Sequence, residues 1–357
     1  LKYQLFCEDK KIEWKIVEKF MNATMSLEKT KHYPVMLNQV LSIISPQHGG
    51  TFIDCTFGGG GYSQAILEFQ GTKVFAIDRD KLTQKYANSL AKKFPKRFNF
   101  FQEKFSNLDK VIQQKLEPRA VIFDLGLSSF QLSDKERGFS FESKDFLNME
   151  MGINEYSAYN VINTLDKEYL STIIKVLGEE KDGKIIANKI DKHRKKKPIK
   201  NSQQLASIIN EAKKNYHNYK KNPATKTFQA IRMFVNKEIS ELILGLIKAT
   251  KLLSNGGMLI VVSFHSLEDR IVKNFFNLYS NLKKNPSRYL PIKEKKSSLF
   301  KLVSKKPLVA DINEIKKNIR SRSAKLRYGV RNNNSFFYPD EFKNKFLNYF
   351  KLESGRI

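Results

Sequence analysis

Four consecutive glycines, Gly58 to Gly61, sit between an acid, Asp54, and a hydroxyl, Ser63. Backbone stripped of side chains lets a ligand approach closely, and a glycine turn leading from strand to helix is where nucleotide-binding α/β units hold their ligands. About 20 residues further on, the apolar run Lys73-Val-Phe-Ala-Ile-Asp78 ends in a second acid, placed to accept both hydroxyls of a ribose. The turn lacks a Gly-Lys-Ser/Thr ending, which excludes a P-loop. It also lacks a clean Gly-x-Gly-x-x-Gly, which disfavours a dinucleotide dehydrogenase. An adenosine-bearing ligand without a pyrophosphate fits better, and S-adenosylmethionine is the commonest of that class. An aromatic, Phe105, and a third acid, Asp124, complete the set.

Each of these residues falls where a strand should end. Thr51 to Asp54, Lys73 to Asp78, Phe98 to Phe101 and Ala120 to Asp124 read as strands, the last apolar on both faces as buried parallel strands are. In open α/β sheets ligands bind beyond the carboxyl ends of the strands, so the convergence of Asp54, Asp78, Phe105 and Asp124 there is stronger than any one of them. Ser63 opens a short helix through Glu68, and a basic helix runs to Lys93. From Ser133 to Lys226 the pattern turns helical without a convincing strand. Leu170, Ile173, Ile174 and Leu177 keep helix spacing, with Gly178 expected as the C-cap. Phe228 to Leu253 reads as one long amphipathic helix. Met258 to Phe264 is a further buried strand, and Ala324 to Val330 supplies a last one. The α/β pattern therefore resumes after an insertion. The expected organisation is an α/β domain over 25–132 and 227–335, an inserted helical substrate-recognition domain over 133–226, and a C-terminal tail over 336–357.

A chain of 357 residues with 41% hydrophobic content can bury a sizeable core, and no apolar run approaches the roughly 20 residues of a membrane span. Its net charge of +28 suits a polyanionic partner, nucleic acid before membrane. The densest basic run, Lys192 to Lys200, lies in the insert, and Arg194, Lys195, Lys196 and Lys197 are the expected phosphate contacts. Two cysteines, Cys7 and Cys55, exclude a disulfide framework and a multi-cysteine zinc site. Five scattered histidines with no His-Glu-x-x-His give a metal site no support. Glu8, Asp9, Glu13 and Glu18 interrupt any signal peptide or transit peptide. Residues 1–24 read as an upstream extension, with Met25 as the working start.

In order and with compatible spacing from His32 to Arg331, the chain resembles the MraW-type small-subunit ribosomal RNA cytosine-N4 methyltransferases of bacteria and organelles. The blocks that carry the resemblance are His32-Tyr-Pro-Val-Met-Leu, Asp54-Cys-Thr-Phe-Gly-Gly-Gly-Gly-Tyr-Ser63, Asp124-Leu-Gly-Leu-Ser-Ser-Phe-Gln131 and Arg137-Gly-Phe-Ser-Phe141. Pro223-Ala-Thr-Lys-Thr-Phe-Gln-Ala-Ile-Arg232, Ser263-Phe-His-Ser-Leu-Glu-Asp-Arg270 and Asn318-Ile-Arg-Ser-Arg-Ser-Ala-Lys-Leu-Arg327 complete it. The resemblance implies a class I, Rossmann-like methyltransferase sheet with an inserted helical domain. It implies S-adenosylmethionine as donor and a cytidine of the decoding region of 16S ribosomal RNA as target. It places cofactor contacts on Gly60, Gly61, Tyr62, Asp78, Phe105, Asp124 and Gln131. Tyr62 stands where many members have His, Phe130 replaces a common Pro, and Leu147-Asn-Met-Glu-Met151 replaces a more typical Leu-Asp-Met-Arg-Met.

The exocyclic amine of cytosine is a poor nucleophile, so its methylation needs in-line geometry and an acceptor for the departing proton. No cysteine nucleophile is required, unlike C5 methylation. Asp124 is the acid nearest the reacting end, with Ser128 and Ser129 just beyond it. Ser263, His265, Glu268 and Asp269 invite a hydrolase triad, but they crowd one strand end, whereas triad members converge from separate elements. His265 and Arg270 are expected to contact RNA or brace the pocket. Arg320, Arg322, Lys325 and Arg327 look like a phosphate clamp. The expected partner is small-subunit ribosomal RNA or the assembled subunit, with a homodimer left open and no membrane. The expected location is the cytoplasm, with an organellar matrix as the alternative.

Overall fold

The structure is a computed structural model that describes residues 34–213, 222–280 and 298–355. The extension over 1–24 and His32 lie outside the described residues. The chain divides into two compact units, one of residues up to Gly126 with Ile243–Phe342, the other of Leu127–Leu242 with Lys343 onward.

The first unit is built on one eight-stranded sheet ordered β3-β2-β1-β4-β5-β8-β6, with β7 also paired to β8. The strands β1 (Gly50–Asp54), β2 (Thr72–Asp78), β3 (Phe98–Gln102), β4 (Ala120–Asp124) and β5 (Met258–Ser263) are all parallel. The last strand, β8 (Lys325–Arg331), runs antiparallel to β5 and carries the short β6 (Phe300–Lys301) and β7 (Leu308–Val309) on its far side. Phe52, Val74, Ile122 and Ile260 are fully buried, because parallel strands covered on both faces must be apolar throughout. Strand order reverses between β1 and β4, and such a reversal opens the crevice in which Rossmann-like sheets bind ligands. Asp54, Asp78 and Asp124 are the last residues of β1, β2 and β4.

The second unit holds helices Ala158–Thr164, Lys167–Gly178, Gly183–Arg194, Ser202–Ala212 and Thr225–Asn236. Two expectations about its helices need correcting. Gly178 is not a C-cap: it is the last helical residue, and Glu179 beyond it takes the left-handed conformation at φ 50°. Gly178 is small for a packing reason, since a Cβ there would lie 2.5 Å from the Lys226 carbonyl oxygen. The stretch from Phe228 to Leu253 is not one helix but two, Thr225–Asn236 and Glu238–Leu252. Lys237 breaks it at φ 51°, and the bidentate pair of Arg232 with Glu238, at 2.8 Å for both bonds, spans the break. The two compact units divide after Leu242.

Asn236 explains the Leu147–Met151 loop. Its side chain accepts from Met151 N at 2.8 Å and donates to the Met149 carbonyl at 2.8 Å, so one buried amide fixes the loop backbone. The C-terminal stretch is anchored within the second unit. Glu353 is 2% exposed and its carboxylate accepts from Ile239 N, Ser240 N and the Ser240 hydroxyl, capping the first turn of Glu238–Leu252.

Candidate active site

The glycine turn is closed from within by Asp54. This carboxylate is 1% exposed; it accepts from the Ser63 hydroxyl at 2.7 Å and from Thr56 N at 3.2 Å. Burial pushes Asp54 up to about 6 against the pull of those donors. Its oxygens are therefore committed to the turn. Gly58 and Gly60 take φ 54° and 81°, conformations that disfavour other residues. A Cβ on Gly60 would meet the Phe57 ring at 2.8 Å and one on Gly61 would meet Pro34 at 2.2 Å. At Gly59 nothing lies within 4 Å of that position, so the turn is open there to an approaching ligand. Tyr62 is buried and its hydroxyl donates to the Val35 carbonyl, which ties the segment before helix Leu37–Ile44 to the turn. Its side chain thus braces the turn from behind instead of facing outward.

Asp78 reaches across from β2 to the same turn. One carboxylate oxygen accepts from Gly58 N at 2.7 Å and the other from Asp80 N at 2.9 Å. Burial pushes this acid up to about 7, those two amides hold it down, and Asp80 and Asp54 add repulsion. Each oxygen keeps a further lone pair, the number that a ribose diol requires.

Asp124 is fixed by its backbone, whose N–H donates to the Thr56 hydroxyl at 2.7 Å. Its Oδ1 is buried and has no hydrogen-bond partner among the described residues. Burial first, then the charges of Asp54 and Glu268, push its carboxyl well above the usual range. An unpartnered buried carboxylate oxygen is costly unless something else is meant to meet it. Phe105, half-buried after β3, sets its ring edge against Phe123 at 5.3 Å. Gly245 makes room for it, since a Cβ there would lie 2.6 Å from the Phe105 ring. Thr56 and Pro34 are not singled out as site residues by the sequence, and Glu268 only within the rejected hydrolase triad. All three nevertheless lie inside quoted blocks, His32–Leu37, Asp54–Ser63 and Ser263–Arg270, which was the available signal.

Other expected site residues make contacts within the protein. Ser128 and Gln131, in the second unit, form a reciprocal cap on helix Ser129–Ser133: the Gln131 side-chain oxygen accepts from Ser128 N at 2.9 Å, and the Ser128 hydroxyl accepts from Gln131 N at 3.4 Å. His265 caps helix Ser266–Tyr279 by accepting from Glu268 N through Nδ1, and its Nε2 lies 3.0 Å from a Glu268 carboxylate oxygen. It braces the strand end. The clamp expected at the end of the match is half spent internally. Lys325 and Arg327 both pair with Asp269, at 3.3 and 2.7 Å, while Arg320 is half-buried and Arg270 and Arg322 are exposed. Although burial pushes Asp269 up, Arg327 and then Lys325 hold it below the usual carboxylate range. In the basic run, Arg194 is pinned to Asp191 at 2.9 Å and to the Ile162 carbonyl at 2.8 Å, and Lys195 pairs with Asp191 at 2.7 Å. Lys196 and Lys197 are exposed.

An open glycine turn, a carboxylate with spare lone pairs for a ribose, a half-buried aromatic and an unpartnered acid fit an adenosine-bearing methyl donor. The MraW methylase family matches residues 29–331. Ribosomal RNA small subunit methyltransferase H of Ehrlichia canis is 45% identical over 300 residues, covering 83% of this chain and 98% of that protein. The protein of the same name from Afipia carboxidovorans is 40% identical over 317 residues, covering 87% and 93%. The site and the relatives agree: the chain belongs to the MraW methylase family and is an S-adenosylmethionine-dependent methyltransferase.

Proposed function

We propose that the protein methylates the N4 amine of a cytidine in the decoding region of small-subunit ribosomal RNA. Methyl transfer to small-subunit ribosomal RNA is what the names of its relatives describe, and the base atom is the step beyond. The observation that carries it is the unpartnered Asp124 oxygen at the end of β4. The donor, when bound, supplies an electrophilic methyl on a sulfonium. A carboxylate at this point accepts a hydrogen bond from the amine, turns its lone pair toward the methyl and takes up the proton that leaves. C5 methylation needs a cysteine thiolate instead. Cys55 is fully buried, and burial followed by the Asp54 charge pushes its thiol well up, so it stays an inert thiol. The target base must leave its stack to reach such a pocket. Labelled donor incubated with isolated small subunits that lack the modification should pass label to the RNA. Cofactor binding without transfer would make the protein a non-catalytic RNA-binding factor.

Asp78 is assigned the cofactor ribose, and its ionised form is the acceptor. Affinity for S-adenosylhomocysteine should therefore be level above pH 7 and weaken about tenfold per unit as pH falls below it. Asp78→Ala should cost about 1.5–3 kcal/mol of binding and flatten that profile. An unchanged profile in calorimetry would remove Asp78 from the site.

Lys196 and Lys197 are the free ends of the basic run. Changing both to Gln should weaken RNA binding and lower its log–log salt slope by up to about one unit per lost phosphate contact, with cofactor affinity unaltered. An unaltered slope would make the run a solvated face.

A further inference from the structure

Helix Leu37–Ile44 begins without a side-chain cap of its own. Its N-cap residue, Met36, is fully buried and takes the left-handed conformation at φ 54° and ψ 32°. A residue with a side chain adopts that conformation at a cost, and keeps it only where the surroundings fix it. In a capping box the third helical residue, here Gln39, would reach back to the N-cap amide. A distant acid takes that amide instead. Met36 N donates to Glu314 Oε1, 278 residues along the chain, and the Gln39 side chain donates to Glu314 Oε2 at 3.2 Å. The Ser321 hydroxyl donates to Glu314 Oε1 at 2.9 Å. One carboxylate thus supplies the cap and gathers donors from two segments far apart in sequence.

Glu314 is itself firmly placed. Its backbone N–H donates to the Asp311 carboxylate at 2.8 Å, the N-cap of helix Ile312–Lys317. The next residue, Ile315, packs against the apolar cluster that contains Val35, Met36 and Tyr62. The segment that Glu314 fastens runs straight to the glycine turn. The Val35 carbonyl accepts from the Tyr62 hydroxyl, and Pro34 lies so close to Gly61 that a Cβ there would be 2.2 Å from its ring. Pro34, Val35 and Met36 therefore meet Gly61, Tyr62 and Glu314 in turn. Gly61 and Tyr62 open helix Gly61–Leu67, whereas Glu314 comes from the far end of this unit.

We propose that Glu314 is a positioning residue for the methyl donor: it fixes the left-handed Met36, and through it Pro34 against Gly61, so that the glycine turn keeps its donor-binding shape. The inference rests on the reading of that turn as the donor site. Without Glu314 the buried Met36 N–H loses its acceptor, the left-handed residue relaxes, and Pro34 shifts on the turn. A displacement of about 1 Å in a positioning group can cost on the order of a hundredfold. What the site needs from Glu314 is an acceptor at Oε1, which takes two of the three bonds. Glutamine keeps an oxygen there. Gln39, whose own Oε1 is buried without a partner among the described residues, can turn over to accept from the new amide.

The test is methylation of isolated small subunits by the full chain, with S-adenosylmethionine varied to saturation, together with calorimetric titration of S-adenosylhomocysteine. E314A should raise the donor KM and weaken S-adenosylhomocysteine by about tenfold or more, with kcat at saturating donor close to that of the parent. E314Q should restore both toward the parent. Should E314A not fold, E314D withdraws the same acceptor by one methylene and should raise the donor KM in the same direction. A folded E314A or E314D with unchanged donor KM would overturn the proposal. So would a lowered kcat with unchanged donor KM, which would place Glu314 on the RNA side through Ser321, or an E314Q as impaired as E314A. Gly59→Val tests the underlying reading separately, since a side chain there enters open space and should obstruct the donor directly. Donor binding lost in G59V but intact in E314A overturns the proposal alone; donor binding intact in G59V overturns the reading of the turn and the proposal with it.

Discussion

Asp124→Asn is expected to lower kcat by roughly 10²–10⁴-fold while leaving donor affinity much less affected. The substitution keeps the shape of the side chain, and the Asp124 backbone bond to Thr56 does not depend on it. Only the charge is removed. The folded protein should not lose stability, because burial and the neighbouring Asp54 and Glu268 already oppose that charge. If Asp124 served only to hold the donor, the variant would show a raised KM for the donor and a normal kcat at saturation. Single-turnover methylation of small subunits, with donor varied to saturation, separates the two. Full recovery of rate at high donor would end the catalytic assignment.

A comparable effect, on stability instead of rate, is expected at Lys213. Its side chain is 4% exposed and pairs with Glu180, which is 5% exposed; the ammonium also donates to the Pro223 carbonyl at 3.3 Å. This pair fastens the end of helix Ser202–Ala212 to the start of the Pro223–Arg232 block within the helical unit. Lys213→Met would strand the Glu180 carboxylate in the interior, which costs about 3–5 kcal/mol. Adding Glu180→Leu should recover much of that loss, since a buried pair replaced on both sides is often near neutral. Urea denaturation of the two variants checks both statements. A single variant as stable as the parent would show that the pair is solvated in solution.

The strands were readable because a parallel strand buried on both faces must be a contiguous apolar run, and the runs ending in Asp54, Asp78 and Asp124 are such runs. The strand-end acids followed from them, since the carboxyl edge of the sheet is set once the strands are known. What stayed hidden were pairings over distance. Nothing local to Lys325 and Arg327 reveals Asp269, 56 residues before Lys325, with which both cations pair. Ser128 and Gln131 are expected site residues because of the block they occupy; their spacing is also that of a helix cap, and that cap forms. The break at Lys237 escaped periodicity analysis because the apolar face continues across it and the residue that takes the left-handed turn is a lysine, not a glycine. Glu353 was equally unreadable: an acid near the chain end becomes a buried cap only after the helix starting at Glu238 is placed beside it.

The account turns on which atom receives the methyl group. Small subunits from cells lacking the gene, incubated with the purified protein and isotopically labelled S-adenosylmethionine, can be digested to nucleosides and analysed by mass spectrometry. The account predicts label in N4-methylcytidine from the decoding region, absent without the protein and strongly reduced with Asp124→Asn. Label on C5 of a pyrimidine, on a ribose hydroxyl or on no nucleoside at all would contradict it.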